Sequence, residues 1–307
     1  MEAATNHDAR IESASSFVPR PDLEVGSGKV VFDGEPRRVL MPELPEVENV
    51  RRGLEELLSL PRRLESIELR RKDIRYPISS KVHRAAGEKL LRIRRRGKYL
   101  LLDFESCTIL SHLGMTGMWS PHPKDRHDHV VLHFSENLSV HYNDPRRFGC
   151  FEFVQSESDH PRLKNLGFEP WLSGEQRDQL IVRMKRSEQF VKVGIMDNKW
   201  LVGVGNIYAS EALFRAQISP LKRLSRISRN QMHRLFDVIE SLLEEAIVSG
   251  GTTFRDYRNA RGEMGQFQNF LRVYDRAGEP CQNCGSKIRE RALAGRSTYW
   301  CPKCQRS

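Results

Sequence analysis

The sequence predicts an α+β chain in three parts: a strand-rich body behind one helix, a helical body, and a short cysteine-bearing tail. Three patterns carry this reading. Apolar residues recur at helical spacing from Leu44, give way to six short apolar or alternating segments between residues 66 and 154, and regain helical spacing between Gln176 and Ile247. Two Cys-x2-Cys pairs then close the chain.

A length of 307 residues is enough for about two domains with real cores. The formal charge of +10 points to an anionic partner, most often nucleic acid, with a merely solvated basic surface as the alternative. That charge is unevenly placed: residues 1–40 hold five basic and seven acidic residues, leaving 45 basic and 33 acidic for 41–307. Residues 1–40 also lack apolar periodicity, and they do not open with the basic and then apolar run of a secretory signal. They read as a disordered extension or a mis-assigned start, with the working chain beginning at Met41. No run of eighteen apolar residues suggests a membrane span.

The first helix starts at Met41-Pro42-Glu43-Leu44-Pro45-Glu46, and Val47, Val50, Leu54, Leu57 and Leu58 form its apolar stripe. Prolines suit a first helical turn. A proline freed by removal of Met41 is also a secondary amine, nucleophilic near neutral pH because α-amino groups titrate around 8. A helix beginning there would hold it rigidly beside the Glu43 carboxylate.

Six strands follow, at 66–69, 90–93, 99–104, 109–113, 130–134 and 150–154, separated by polar or glycine-bearing breaks, which implies an antiparallel sandwich or barrel. Arg94-Arg95-Arg96-Gly97-Lys98 precedes the third; taken alone, Arg94 to Arg96 read equally well as a solvated strand end. His112 to Gly117 and Tyr142 to Gly149 read alone as hairpin loops with one buried Met115 and one buried Phe148. His127 and His129 flank Asp128 on one face, with no further metal ligand in view.

After a proline-containing connection from Pro161, helix faces are marked by Leu180, Ile181 and Met184, then by Met232 to Ile247 with a stop at Gly250-Gly251. Between them, Gly203-Val204-Gly205 opens a helix. It lacks the third glycine and preceding strand of a dinucleotide site, but such a start offers free backbone N–H groups to a phosphate, with Asn206 adding an amide. Cys281-x2-Cys284 and Cys301-x2-Cys304 have the spacing of a four-thiolate zinc site, which is structural because it leaves the metal no open position; two disulfides are the rival. Cys107 and Cys150 stand apart as buried thiols.

Taken together, Pro42 to Glu46, His112 to Gly117, Tyr142 to Gly149, Ile195 to Glu211 and the four cysteines resemble the formamidopyrimidine-DNA glycosylase family, in its bacterial purine-lesion branch, across 41–307. The resemblance implies an N-terminal catalytic β-sandwich with its helix at 41–154 and a linker at 155–171. It further implies a helix-two-turn-helix domain with a lesion-capping loop at 172–277, and a zinc finger at 278–307 holding one structural Zn2+. The implied protein is a monomeric, cytoplasmic glycosylase and apurinic/apyrimidinic lyase of base excision repair. It would act on damaged double-stranded DNA without a nucleotide cofactor, excising 8-oxoguanine and formamidopyrimidines through a Schiff base on Pro42 and nicking by β,δ-elimination.

Carried onto this chain, Glu43 and Lys98 would move protons as the base leaves, and Arg296 would grip the flanking phosphate and assist the second elimination. Met115, Arg146 and Phe148 would fill the hole left by the extruded base, while His112, His127, Arg186, Lys192 and Asn206 would contact the DNA backbone. The chain departs from the family pattern in the spacing of 185–192, at Gln266 where an aromatic is common, and at Asp275 where glycine is usual. Two other readings follow from the same motifs. One is an endonuclease VIII-like enzyme for oxidised pyrimidines, disfavoured by Leu44 and the Met115/Arg146/Phe148 set. The other is a non-catalytic lesion-binding protein, which follows if Pro42 stays acylated.

Overall fold

The computed structural model describes residues 29–32, 35–38, 41–252 and 265–306. Strands β1 (Lys29–Phe32) and β2 (Glu35–Arg38) pair as an antiparallel hairpin, in a stretch without a strand pattern in the sequence. Helix α1 (Leu44–Leu58) follows, and its stripe divides between two cores. Val47, Val50, Leu54 and Leu58 pack on the sheet, whereas Leu44 packs among the helices further along the chain. The first turn of α1 is therefore the joint between the two bodies.

The sheet comprises β3 (Arg62–Leu69), β4 (Lys89–Arg96), β5 (Tyr99–Phe104), β6 (Thr108–His112), β7 (Met118–Ser120), β8 (Asp128–Phe134), β9 (Leu138–Asn143) and β10 (Cys150–Val154). They run in the order β10-β6-β5-β4-β3-β8-β9-β7, with every pairing antiparallel. β3 belongs to both halves: Arg62 and Arg63 pair with β4, and Leu64 to Leu69 pair with β8 across a bulge between Leu64 and Ser66. The two halves close over one apolar core as a sandwich.

β7 and β9 are strands the sequence pattern does not reveal. β9 buries His141 and Asn143, which Asp128 on β8 makes possible: Asn143 Nδ2 donates to Asp128 Oδ1 at 2.8 Å, and His141 Nδ1 lies 3.4 Å from Oδ2. The arginine run is not a solvated strand end. Arg94 bonds Asp103, and Arg95 and Arg96 reach Glu169 of the linker at 2.7 and 3.0 Å. Glu169 also takes the Gly97 N–H at 2.7 Å, which ties the linker to the β4–β5 turn.

The helical body contains α2 (Gly174–Met184), α3 (Val191–Ile195), α4 (Asn206–Arg215) and α5 (Arg229–Val248). Ser173 with Gln176 and Ser228 with Gln231 form capping boxes at the starts of α2 and α5. α5 stops at Gly250 and Gly251, whose φ of 78° and 81° continue the chain out of the helix. The tail adds the hairpin β11 (Arg289–Leu293) and β12 (Arg296–Trp300). Its Ile288, Tyr299 and Cys301 share the helical core, and Gln305 Nε2 donates to Ile218 O at 3.0 Å. Among the described residues, no helix is long and apolar enough to cross a membrane.

Candidate active site

The site forms where the head of α1 meets the head of α4. Glu43, just after Pro42, is buried, and its carboxylate accepts the N–H groups of Gly205 at 2.8 Å, Ile207 at 2.9 Å and Tyr208 at 3.4 Å. This corrects the phosphate reading of Gly203-x-Gly205: the free N–H groups at this helix start are filled by an internal carboxylate. The glycines make the approach possible. A Cβ on Gly205 would lie 2.3 Å from Glu43 Cδ, and one on Gly203 would lie 2.5 Å from the Leu44 side chain. Glu46, one turn on, takes the Glu43 N–H, the Tyr208 hydroxyl at 2.7 Å, and the Thr252 N–H and hydroxyl at 2.7 and 2.8 Å.

Two lysines approach this centre. Lys98 follows Gly97 in the β4–β5 turn, and no described residue accepts a hydrogen bond from its ammonium. Burial holds its pKa below the ordinary lysine value, against the upward pull of Glu43 and Glu46 and with Arg296 adding to the depression. Glu43 shifts the other way: burial raises it, Lys98 opposes, and Glu46 adds to the rise. The pair is thus drawn toward easy proton exchange.

Lys192 on α3 donates to Asn206 Oδ1 at 2.5 Å, Ser297 O at 2.8 Å and Thr298 Oγ1 at 2.8 Å, and burial pushes its pKa down to about 7. This corrects the backbone-contact expectation for Lys192. It is 1 % exposed with all three protons engaged inside the protein, so it is a strut between α3, α4 and β12. By fixing Asn206 Oδ1 inward, it leaves the Asn206 Nδ2 group for an outside acceptor. Arg296 is exposed at the end of a two-residue turn in which Ala294 and Gly295 have φ of 46° and 71°.

Met115, Arg146 and Phe148 come together, all half-exposed. The Arg146 guanidinium sits 4.7 Å over the Phe148 ring, and a Cβ on Gly114 would lie 2.4 Å from the Phe148 carbonyl carbon, so the two loops touch through their backbones. His112 accepts the Gly114 N–H on Nδ1 at 2.9 Å, and burial, with Lys98 adding, pushes its pKa down to about 3. Its ring is therefore neutral, with Nε2 carrying the proton. His127 is half-buried, edge-on to His129 at 6.3 Å. Arg186 is exposed beyond the end of α2, and no contact ties it to the other site residues.

The four sulfurs of Cys281, Cys284, Cys301 and Cys304 lie within 4.8 Å of one another. Zn–S bonds of about 2.3 Å in a tetrahedron place sulfurs about 3.8 Å apart, so the set fits one structural zinc. Of the capping-loop expectation, residues 253–264 lie outside the described residues; Gln266 is exposed, with its N–H on Ser249 O at 3.0 Å. Asp275 has φ of 59°, which explains why glycine suits that position, and its carboxylate accepts the Tyr299 hydroxyl at 3.3 Å. Glu46, Tyr208, Thr252 and Asp144 escape the sequence reading. Only Glu46 had a signal, three residues after Glu43 at capping-box spacing.

A sandwich and a helix-two-turn-helix body that share one buried carboxylate, with a zinc finger behind, define a DNA glycosylase with lyase activity. Models of the formamidopyrimidine-DNA glycosylase N-terminal domain, its H2TH domain and the zinc finger found in FPG and IleRS match residues 41–151, 166–258 and 278–306. The chain belongs to the formamidopyrimidine-DNA glycosylase family. The formamidopyrimidine-DNA glycosylase of Bdellovibrio bacteriovorus is 47 % identical over 270 residues, 87 % of this chain and 100 % of that protein. That of Acinetobacter baylyi is 41 % identical, over 86 % and 98 %. The crystal structure of MutM (Fpg) from Thermus thermophilus superposes with a TM-score of 0.78 at 37 % identity, covering 86 % of this chain and 98 % of that one. A MutM complex with DNA containing carbocyclic 8-oxo-G gives 0.76 at 33 %, covering 87 % and 100 %.

Proposed function

We propose that this protein excises oxidised purines, 8-oxoguanine and formamidopyrimidines, from duplex DNA through a covalent bond to Pro42. The observation that carries the reading is the seating of Glu43. Beside Pro42, one buried carboxylate is fixed by three backbone N–H groups and shares its field with Lys98, whose own proton is loosely held.

The neutral Pro42 nitrogen attacks C1′ of the extruded nucleotide, and the bond from C1′ to the base breaks. Glu43 and Lys98 deliver protons to the leaving base and the ring oxygen; the Pro42 nitrogen loses its own proton, and its lone pair breaks the bond from C1′ to the ring oxygen, leaving a ring-opened iminium. The resulting iminium acidifies C2′; loss of a C2′ proton expels the 3′ phosphate, and a second elimination, assisted by Arg296 at the flanking phosphate, expels the 5′ phosphate. Met115, Arg146 and Phe148 occupy the space left in the stack. His112 and His127, Asn206 through Nδ2, and Arg186 hold backbone phosphates, with Lys192 acting through Asn206. Four zinc thiolates suit a reducing compartment, and a chromosomal substrate puts the protein at the nucleoid in the cytoplasm.

This chemistry needs Pro42 unacylated. The match to the family's N-terminal domain begins at residue 41, which supports a working start at Met41. Borohydride trapping on duplex containing 8-oxoguanine tests the reading. The form starting at Met41 is expected to give a covalent adduct, and the form retaining residues 1–40 none. Absence of adduct from the Met41 form overturns it, and faster cleavage of thymine glycol than of 8-oxoguanine would move the protein to the pyrimidine branch.

A further inference from the structure

The loop carrying Met115 and the loop carrying Arg146 and Phe148 are joined at their base by the Tyr142 hydroxyl, which donates to His112 O at 2.9 Å, and beside Met115 and Arg146 by the Thr116 hydroxyl. Thr116 Oγ1 donates to Asp144 Oδ1 at 2.6 Å and accepts the Arg146 N–H at 3.2 Å. Asp144 is fully buried and organises the second loop around itself. Its Oδ2 takes the Gly149 N–H at 2.8 Å, its carbonyl takes the Arg147 N–H at 3.1 Å and bonds His129 Nε2 at 2.8 Å, and its own N–H donates to His127 O at 3.0 Å.

The relay has a fixed direction. A carboxylate can only accept and a backbone N–H can only donate, so the group between them must do both, which a hydroxyl does and a methyl does not. The Arg146 side chain does not anchor the loop: its guanidinium lies over Phe148, and its buried Nη1 has no partner. Arg147 holds φ at 56°, a conformation that β-carbon residues resist and that the bonds to Asp144 maintain. The β6–β10 and β7–β9 pairings and the Tyr142 hydroxyl fix the bases of the two loops, and between Met115 and Arg146 themselves the links are the backbone contact at Gly114 and the Thr116 hydroxyl.

We propose that Thr116 is a positioning residue whose hydroxyl, backed by Asp144, holds the Met115 loop and the Arg146–Phe148 loop in fixed register so that both enter the DNA stack together. The proposal rests on the reading above that these loops fill the hole left by an extruded base. It predicts that the hydroxyl matters where a base must be taken out of a duplex, and not where the sugar is already accessible.

The test compares Thr116→Val and Thr116→Ser in the zinc-loaded Met41-start form. The substrates are a duplex holding 8-oxoguanine opposite cytosine and a single strand holding an abasic site. Loss of one buried hydrogen bond in the wedge is expected to lower excision from the duplex about tenfold in Thr116→Val. Borohydride trapping on the abasic single strand should stay at the wild-type level, and Thr116→Ser should match wild type on both substrates. The inference is overturned if Thr116→Val equals wild type on the duplex, or if it loses both activities equally, since the hydroxyl would then serve the fold or the chemistry at large. A wild-type protein that traps neither substrate overturns the Pro42 reading itself.

Discussion

The β4–β5 turn brings a half-buried lysine and helix α3 a fully buried one to Glu43, and the two differ in their hydrogen-bond acceptors. Burial lowers the pKa of both, and both lie in the fields of Glu43 and Arg296. Lys192 has three protein acceptors within 2.8 Å; Lys98 has none among the described residues. An ammonium with three fixed acceptors is a bolt, and removing it strands its partners. An ammonium held only by the field of two carboxylates exchanges its proton cheaply. A depressed pKa alone therefore does not mark a lysine for chemistry; the inventory of its acceptors does.

The largest expected effect separates the two residues directly. Lys98→Met should lower the rate of base excision by about 10²- to 10⁴-fold, the usual contribution of a positioned proton donor, while its urea midpoint stays at or above that of wild type. The converse holds for Lys192→Met. It should cost about 3 kcal/mol of stability by stranding Asn206 Oδ1, Ser297 O and Thr298 Oγ1, and at saturating DNA its excision rate should fall far less than that of Lys98→Met. Were the outcomes exchanged, the comparison would be inverted.

The pH dependence of Lys192 sharpens the contrast. Its folded pKa of about 7 lies below the unfolded value of about 10.4, so the unfolded chain binds more protons between them. Stability should therefore rise with pH from about 7 to about 10, because the neutral amine is spared the cost of burying a charge, although it keeps only two protons for its three acceptors. Urea midpoints at pH 6.5 and 9 should show a rise for wild type that is smaller in Lys192→Met.

How much of this was legible in the sequence follows from where each group's partners lie. The start of α1, the bounds of β5 and β10, the stop of α5 and the four cysteines are written in local spacing, and the structure repeats them. The roles of Gly203 and Gly205 are not, because the carboxylate that fills their helix start comes from Glu43, far earlier in the chain. Lys192 read as a surface cation because its acceptors, Ser297 and Thr298, lie on a hairpin beyond the helical body. β9 was missed because His141 and Asn143 look exposed until Asp128 is set opposite them. In each case the local pattern was ordinary and a distant partner changed its meaning.

The smallest expected effect concerns a third base, the half-buried His112, in the field of Lys98. Its Nδ1 accepts the Gly114 N–H, and burial pushes its pKa down to about 3, so under the proposed role it would meet a phosphate as a neutral donor through Nε2. The advantage of wild type over His112→Gln in binding abasic duplex should therefore stay constant from pH 5.5 to 7.5. An imidazolium contact would instead strengthen as pH falls through about 6.5. For the same reason the salt slope of binding should be unchanged in His112→Gln, since a neutral ring releases no counterion, whereas loss of a charged phosphate contact removes about 0.9 from it. A slope that falls in His112→Gln, or an advantage that grows in acid, would place a charge on His112. Lys98 would then face a cation in place of a neutral ring, and the loosely held proton on which its contrast with Lys192 depends would need another explanation.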